Sequence, residues 1–540
     1  MKVLLARSAN KWPPTAATAR RRCSWPKAEG VSWPRTRRRA RYWLRPVAGA
    51  HAPGQRHSSR VILSGCPQLV ALHASVHHVQ PGMSRSTLAG ASAELAPSVL
   101  AALPQPLALR IFAALPPDAR ARCACVCRAW RTLVADESLW LRLDLKPARP
   151  RAPQSRVTDA VLRGAAARAG GRLCALDVLD CVEITHNTLL AVVAANSGSL
   201  RELRCTSPRR YPIGLSCARL EALLRAAPAL RVMQARVECQ NVAEARRALQ
   251  LGLPAGPLRD SSFWVNCRNA DEAALEALAA DLSQQVALKY LRLTDADLGE
   301  MPAALDAISD ALLATSTLRT LHFIRCRMLP AAVAALARLL ARRSGALNEL
   351  QIVNEGAQLL DGPAARLLAA ALRDNMQLHK LVLHDVDLWR EPEAALEVLD
   401  ALTGHPSMRE LRLDANRCRV GALAGCAAAL ARLVAANSAT LHVLNVSDCR
   451  LRDAGLRPLL EALPGNTHLL ELLCPGNGMS TAFARDMLLP AVRANTSLRS
   501  LEANDDGNTE ALPYQESAKA LVAQRAAGSP SPAEEEDDSW

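Results

Sequence analysis

A leucine-rich motif recurs through more than half of the sequence and constrains its fold more than any other feature. Each copy reads Leu-x-x-Leu-x-apolar, and twelve copies start at positions 173, 200, 230, 258, 288, 318, 347, 378, 408, 441, 469 and 498. The first position is Leu in eleven copies, and the sixth is apolar in all twelve. A period of about 29.5 residues indicates a solenoid, in which each repeat buries its apolar face against its neighbours.

Each repeat predicts one short strand and one helix. Leu-x-Leu alternates as a strand does, and the rest of the repeat has helical periodicity. The clearest helices are predicted at Ala303–Ala314, Ala331–Ala341, Ala364–Leu372 and Ala422–Ala435. Helices are wider than strands, so we expect an α/β horseshoe solenoid with a parallel sheet on its concave face.

The repeats resemble the leucine-rich repeat family, in its ribonuclease-inhibitor-like type. That family favours Asn or Cys nine residues into each copy, where the side chain bonds to the backbone of the turn after the strand. Matching residues here are Cys181, Asn266, Cys326, Asn416, Cys449 and Asn477. This explains much of the content of sixteen cysteines, which we expect to be buried, reduced thiols.

The residues that flank the buried strand leucines should form the functional surface. The candidates for substrate binding are Arg236, Trp264, Tyr290, Arg292, His322, Lys380 and Arg412. Other predicted concave residues are Arg204, Gln234, His384, Glu410, Asp414, Asn445, Glu471 and Glu502. Their mixture of charges favours a protein partner over a polyanion, and Trp264 and Tyr290 are predicted to be exposed anchors. Recognition of a phosphorylated segment would use an arginine pocket, for which the candidates are Arg204, Arg236, Arg292 and Arg412.

A compact helical block precedes the repeats. Leu107, Ile111 and Leu115 have the spacing of one helical stripe, which Pro116 should end. A second predicted helix carries Val126, Trp130 and Val134 at the same spacing. A block of about 45 residues is too small to bury all these side chains, so some should remain exposed for a partner.

This block resembles the F-box family closely. The family's motifs fall on Leu103-Pro104, Ile111-Phe112, Val126–Trp130 and Leu139-Trp140, with no insertion between them. Two departures are Gln105-Pro106, where an acidic residue is frequent, and Ala119, where Leu is usual. The resemblance implies a small all-α domain that docks onto the Skp adaptor of Skp–cullin–F-box ubiquitin ligases. Its implied adaptor-binding residues are Leu103, Pro104, Ile111, Phe112, Leu115, Val126, Cys127 and Trp130.

The two resemblances together imply a substrate receptor, in which the repeats select a protein and the F-box recruits the ligase machinery. One alternative is a repeat scaffold that works without a cullin, for example on cytoskeletal proteins. Another is a regulator similar to the Ran GTPase-activating proteins, whose repeats have a similar length. The F-box block argues against the last reading, because such an activator needs no adaptor-docking module, but it does not separate the first two.

The sequence divides into five predicted parts. These are a basic leader at 1–94 that is predicted to be disordered, the F-box at 95–145, a Pro/Arg-rich linker at 146–160, the repeats at 161–505 and a disordered acidic tail at 506–540. The first 60 residues contain fifteen Lys and Arg against one acid, Glu29, and resemble an organelle transit segment. They hold nearly all of the net charge of +15, which leaves little case for nucleic-acid binding by the folded part.

The sequence contains no Walker loop, no Gly-x-Ser-x-Gly motif and no His-Glu-x-x-His motif, so we expect no catalytic residue and no cofactor. Cys123, Cys125 and Cys127 are two residues apart and lack zinc-site spacing, so they are predicted to be buried helix residues, with no metal site. The longest stretch without Lys, Arg, Asp or Glu, 61–84, contains two prolines and three histidines and does not predict a membrane span. A cytoplasmic or nuclear protein is expected.

Overall fold

A computed structural model describes most of the chain from Pro104 onwards. The described ranges are 104–146, 157–179, 181, 183–205, 214–251, 258–285, 288–315, 317–341, 347–504 and 508–528. The predictions for the leader at 1–94, for Leu103 and for the acidic run at 534–538 concern residues outside these ranges.

Three short helices form the first part of the described chain: α1 (Gln105–Ala113), α2 (Pro117–Cys123) and α3 (Arg128–Val134). N–H groups in the first turn of a helix have no acceptor within the helix, so proline, which lacks this group, fits there. Helices α1 and α2 both have proline in that turn. The sulfur of Cys127 caps α3 by accepting a bond from the Trp130 amide at 3.5 Å. A 3₁₀ turn at Glu137–Trp140 follows.

Three local predictions for this block are wrong. Val126 lies in the turn before α3 rather than on a helix with Trp130. Leu115 lies beyond the end of α1, because the chain leaves the helix before Pro116. Cys125 is exposed rather than buried, since it lies in the same turn as Val126.

The described chain contains a thirteen-stranded parallel sheet whose strands lie in sequence order, which confirms the predicted solenoid. The strands are β1 (Arg142–Asp144), β2 (Ala175–Val178), β3 (Glu202–Cys205), β4 (Val232–Cys239), β5 (Ser261–Asn266), β6 (Leu288–Thr294), β7 (Thr320–Ile324), β8 (Glu349–Val353), β9 (Lys380–His384), β10 (Glu410–Arg412), β11 (Val443–Asn445), β12 (Glu471–Leu473) and β13 (Ser500–Glu502). From β5 onwards the fourth-position side chains pair in one row, and each is buried at 3% exposure or less.

A helix follows nearly every strand and packs on the next repeat's helix. The helices are α4 (Asp159–Ala167), α5 (His186–Ala195), α6 (Cys217–Ala226), α7 (Val242–Leu251), α8 (Glu272–Ser283), α9 (Pro302–Ala314), α10 (Val333–Ala341), α11 (Gly362–Asp374), α12 (Pro392–Leu402), α13 (Leu423–Ala435), α14 (Arg452–Ala462), α15 (Thr481–Phe483), α16 (Leu489–Ala494) and α17 (Leu512–Gly528). A π-helical turn, Ala484–Leu488, joins α15 to α16. The four helices predicted from periodicity are confirmed as α9, α10, α11 and α13.

The first repeat begins earlier than predicted. Strand β1 pairs in parallel with β2, with Leu143 opposite Leu176, and it follows Trp140 almost directly. The Pro/Arg-rich segment at 146–160 therefore lies after the first strand of the sheet and does not separate the helical block from the repeats. The sequence Leu141-x-Leu143-x-Leu145 has the strand alternation, but it also overlaps the end of the F-box motif.

The register of the copy that starts at Leu258 differs from the predicted one. Phe263, rather than Ser261, pairs with the fourth-position Leu291 of the next repeat. Two extra residues lie between the first and fourth positions, and Asp260 among them has a left-handed φ of 50°. Asx residues tolerate this backbone region better than most, so the insertion forms an irregularity at the edge of β5.

Strand β4 absorbs this change of register. Its Met233 pairs with Leu203 of β3, whereas its Val237 pairs with Phe263 of β5. The buried row therefore steps by four residues along β4, or about 13 Å. As a result Asn266 faces the sheet surface opposite Thr294 and is half-exposed, so its predicted place in the Asn/Cys ladder is wrong.

The remaining predicted ladder residues bond to backbone of the preceding repeat. The Asn416 amide group is fully buried; its Nδ2 donates to the Leu383 carbonyl at 2.6 Å, and its Oδ1 accepts from the Val386 amide at 3.0 Å. The thiol of Cys449 donates to the Leu413 carbonyl at 3.2 Å. Cys181, Cys326 and Asn477 make equivalent bonds. These side chains satisfy buried backbone groups that would otherwise be costly.

A second set of asparagines, which the sequence pattern did not reveal, supports the turns that lead into the strands. The Asn375 Nδ2 donates to the Leu340 carbonyl at 2.7 Å, and its Oδ1 accepts from the Leu378 amide at 2.7 Å. Asn466 and Asn495 repeat this arrangement. Each of these asparagines lies three residues before the start of a copy, at 378, 469 or 498, and this constant spacing is the signal that could have identified them.

A left-handed residue follows the strand in successive repeats, and Ala415 is the least suited to it. The equivalent positions hold Asp295, Arg325, Asp385, Asp448 and Gly476, whereas Ala415 has φ 63°. We expect Ala415→Asn to raise the free energy of unfolding by about 0.5–1 kcal/mol, because Asn tolerates this region better. Urea denaturation measures the change. Ala436→Asn is the matched control, since exposed Ala436 has φ −61°, and a gain in both variants would contradict the explanation.

The predicted disordered tail contains a helix, so this part of the prediction is wrong. Helix α17 (Leu512–Gly528) packs against α16 and β13 and buries Ala518 and Val522. Its apolar residues cover the last repeat, which otherwise lacks a neighbour.

Candidate functional site

An exposed apolar surface lies on the helical block. Val126 is 64% exposed and Leu107 is 46% exposed, and both are large apolar side chains. Pro104 is also exposed, and Ile111 on α1 is half-exposed. This surface can bury substantial apolar area against a partner.

Other members of the predicted adaptor-binding set form the core beneath that surface. Phe112 is 1% exposed and packs edge-on against Trp130, with ring centroids 5.6 Å apart. Leu115 and Cys127 are half-buried, and Cys127 caps α3. The set therefore divides into exposed residues that can contact a partner and buried residues that hold the exposed ones in place.

Arg120 and Trp140 join the helical block to the first repeats. Buried Arg120 donates from Nε to the Leu115 carbonyl at 2.7 Å and from Nη1 to the Leu139 carbonyl. Trp140 donates from Nε1 to the Val134 carbonyl at 2.7 Å, and the Arg168 guanidinium lies 4.5 Å from its ring centroid. Burial lowers the pKa of Arg120. No sequence pattern distinguishes Arg120 from the neighbouring surface arginines.

The concave face of β4–β6 carries a stack of one aromatic ring and two cations, which we call the Trp264 stack. The guanidinium carbons of Arg236 and Arg292 lie 4.1 Å and 4.4 Å from the Trp264 ring centroid. Trp264 is half-buried, and Arg236 is 3% exposed. The predicted substrate residues of these strands are thus brought together.

Tyr290 is buried, so its predicted role as an exposed anchor is wrong. It is 8% exposed, because Trp264 and His322 pack on either side of it. Its hydroxyl lies 2.6 Å from His322 Nδ1, and His322 Nε2 lies 3.0 Å from Glu349 Oε1. Burial lowers the pKa of His322, so a neutral imidazole that accepts at Nδ1 and donates at Nε2 satisfies both contacts.

The network continues across the next strands as paired charges. Lys380 Nζ lies 3.1 Å from Glu349 Oε1 and 3.6 Å from Glu410 Oε1, and Arg412 Nε donates to Glu410. Burial opposes ionisation of Glu349, but the bond from His322 and the charge of Lys380 hold the pKa of Glu349 below its usual value. Lys380 and Arg412 are therefore largely neutralised by neighbouring carboxylates.

A cavity of about 350 Å³ opens beside these pairs, on β8–β10. Its lining consists of Gln351, Val353, Lys380, Val382, His384, Arg412 and Asp414. His384 Nδ1 bonds to Asp414, and this bond raises the pKa of His384. The cavity combines an apolar floor with polar groups of both signs.

We expect the His384 imidazole to titrate above its ordinary value of 6.5. Because the folded-state pKa is raised, its pairing with Asp414 stabilises the fold fully below pH 6.5, and this contribution is lost as the pH rises through the raised pKa. NMR titration of the imidazole signals measures the shift. Asp414→Asn should lower the midpoint, while His442, whose pKa burial lowers, serves as the internal reference. A parent midpoint at or below 6.5 would contradict the assignment.

The four arginines predicted for a phosphate pocket do not lie together. Arg204 lies on β3, before the step in β4, and its guanidinium is 3.8 Å from Asp177. Arg412 lies on β10. Only Arg236 and Arg292 share a site, the Trp264 stack.

Comparison with known proteins finds relatives of both parts. The F-box-like family model matches residues 100–146. Ribonuclease inhibitor from Sus scrofa is 26% identical over 287 residues, which are 53% of this chain and 60% of that protein. Among solved structures, the crystal structure of the Rad7 and Elc1 complex in yeast matches with a TM-score of 0.36 and 14% identity over 60% of this chain and 81% of that chain. The chain thus spans less than two thirds of the length of its curated relative.

Within the described ranges, no helix has both the length and the apolar content that crossing a bilayer requires.

Proposed function

Since the chain joins an F-box-like domain to leucine-rich repeats of the ribonuclease-inhibitor type, we propose that it is the substrate receptor of a Skp–cullin–F-box ubiquitin ligase. In this role the F-box-like domain binds a Skp adaptor, and the repeats bind the protein to be modified. The family match and the repeat match support the two halves of the proposal separately.

The observation that carries the proposal is the exposed apolar surface of the F-box-like domain. Leu107 and Val126 project from a block whose other large apolar residues are mostly covered. Each would contribute roughly 1.5–3 kcal/mol if a partner covered it completely. An adaptor that covers Leu107 and Val126 would explain why these apolar side chains are exposed in an otherwise well-packed domain.

The repeats supply the second binding surface. The Trp264 stack and the cavity on β8–β10 present one aromatic ring, several cations and several carboxylates along one face of the sheet. Such mixed chemistry suits a folded or extended protein segment. We assign substrate contact to Arg236, Trp264, Arg292, Lys380 and Arg412, with Tyr290 and His322 as buried supports.

The chain contributes binding and position rather than chemistry in this proposal. Among the described residues, no group of three or more His, Cys, Asp or Glu side chains is arranged to hold a metal ion. Transfer of ubiquitin would be performed by the recruited machinery, and the receptor would accelerate it by holding the substrate nearby.

Reconstitution with purified proteins tests the proposal. The full chain is mixed with a Skp adaptor and a cullin, and the mixture is separated by size-exclusion chromatography. We expect one complex that contains all three proteins. If the folded chain elutes alone at micromolar concentrations, the ligase role is wrong, and the protein acts as a repeat scaffold.

A further inference from the structure

The Trp264 stack contains a cation, Arg292, with a donor that the described residues leave unsatisfied. Arg292 lies directly opposite Trp264 on the neighbouring strand. Its Nε is buried and has no hydrogen-bond partner among the described residues. Within those residues it also forms no ion pair, in contrast to Lys380 and Arg412 further along the face. An unpaired buried N–H is costly, so an acceptor from outside would be favoured.

The stack also fixes the orientation of this guanidinium. Packing against the indole face holds the guanidinium 4.4 Å from the ring centroid. A guanidinium presents its donors in its plane, where a carboxylate or phosphate can accept two bonds at once. Arg236 packs on the same ring and adds a second positive charge; burial lowers the pKa of Arg236 most, Glu238 and Tyr290 raise it, and Arg292 lowers it further. An incoming anion would relieve this repulsion.

The surroundings restrict the size of that anion. On one side the face continues with the carboxylates of Glu349, Glu410 and Asp414. On the other side Glu238 lies next to Trp264 on β4. A polyanion such as a nucleic acid would meet these charges, whereas one anionic side chain on a peptide would not.

We propose that the Trp264 stack binds one anionic side chain, carrying a carboxylate or a phosphate, within an extended segment of the substrate protein. This inference rests on the proposed function, since it names the chemistry that the substrate face would recognise. Arg292 makes the bidentate contact, Trp264 positions it, and Arg236 supplies the additional charge.

The chain's own acidic residues are poorly placed to occupy this site in the same molecule. The strands β13 and β5 are eight strand spacings apart, or about 38 Å. Five residues lie between Gly528, the end of α17, and Glu534, so the six steps along the chain span at most about 21 Å. The anion is therefore expected from another protein.

Binding of peptide pools to the full chain tests the inference. Fluorescein-labelled nine-residue peptides are random except at the centre, which is fixed as phosphoserine, Glu or Gln, and binding is followed by anisotropy. We expect one of the two anionic pools to bind roughly tenfold more tightly than the Gln pool. Preference for phosphoserine over Glu identifies phosphate as the ligand group, and equal or better binding of Glu identifies the carboxylate. No detectable binding of any pool, or equal binding of all three, overturns the inference.

Three variants locate the effect. Arg292→Gln should remove the preference, and Arg292→Lys should restore only part of it, because Lys keeps the charge without the fork. Arg432→Gln is the matched control, since this arginine lies on helix α13, is already paired with Asp400 and belongs to neither proposed binding surface, so the variant should keep the preference. Loss of preference in Arg432→Gln, or its survival in Arg292→Gln, contradicts the assignment. Circular dichroism melting confirms that each variant is folded.

The same preparations separate this inference from the proposed function. Adaptor capture without any anion preference would overturn the Trp264 site and leave the ligase role standing. Anion preference without adaptor capture would overturn the ligase role and leave the Trp264 site standing.

Discussion

Replacing Leu107 and Val126 together by Glu is expected to weaken adaptor binding roughly hundredfold or more. Both side chains are exposed, so the substitutions should leave the F-box-like domain folded. In the complex they would remove apolar contact and place two charges where water is excluded, which is unfavourable without partners. Isothermal titration of the full chain with a Skp adaptor measures the change.

The repeats offer a matched control for this variant. Leu367 on α11 and Met376 just after it are 50% and 60% exposed, so Leu367→Glu with Met376→Glu makes the same kind of change at a distance. This control should bind the adaptor like the parent chain. If both double variants bind the adaptor as tightly as the parent chain, the adaptor binds elsewhere. If both lose affinity to the same extent, the loss is a general effect of added charge.

Trp140→Ala is expected to unfold the F-box-like helices while the later repeats stay folded. The side chain is 1% exposed, and removal of a buried Trp costs about 3–5 kcal/mol. It would also leave the Val134 carbonyl and the Arg168 guanidinium without their contacts. Because each repeat of a solenoid contacts only its neighbours, the damage should remain near the end where it occurs.

Hydrogen exchange measured by mass spectrometry follows this local loss. Amides of 104–146 should lose protection, while those of 349–504 keep it. Trp389→Ala is the comparison, because Trp389 is 2% exposed in the central repeats and should affect the region around β9 instead. Unchanged protection of 104–146 in Trp140→Ala would show that this Trp does not join the two parts.

The fold was predictable because its main signal is repeated. A three-column apolar pattern over twelve copies fixes the strand positions, and the four clearest helices agree with it to within about two residues. The one register error lies where the pattern is broken, at Ser261. The missed first strand, β1, lies inside the predicted F-box part at 95–145, so its Leu143 was assigned to that block rather than to a repeat.

The candidate site was predictable in position but not in exposure. Alternation places Trp264, Tyr290 and His322 on one face of the sheet, as observed. Which of them is covered depends on contacts between neighbouring strands, and the Tyr290–His322 bond buries both. Arg120 is a similar case, since its burial arises from carbonyl groups that converge only in the folded domain.

The direct passage from Trp140 into β1 has a mechanical consequence. The residues on either side share one apolar core, and no rotatable segment lies between Trp140 and the sheet. In a ligase built on this chain, the repeats would therefore keep a fixed orientation relative to the F-box-like domain. This orientation would determine which substrate lysines come within reach of the ubiquitin-transferring machinery. Moving an acceptor lysine along a bound substrate should then change the modification rate steeply rather than gradually.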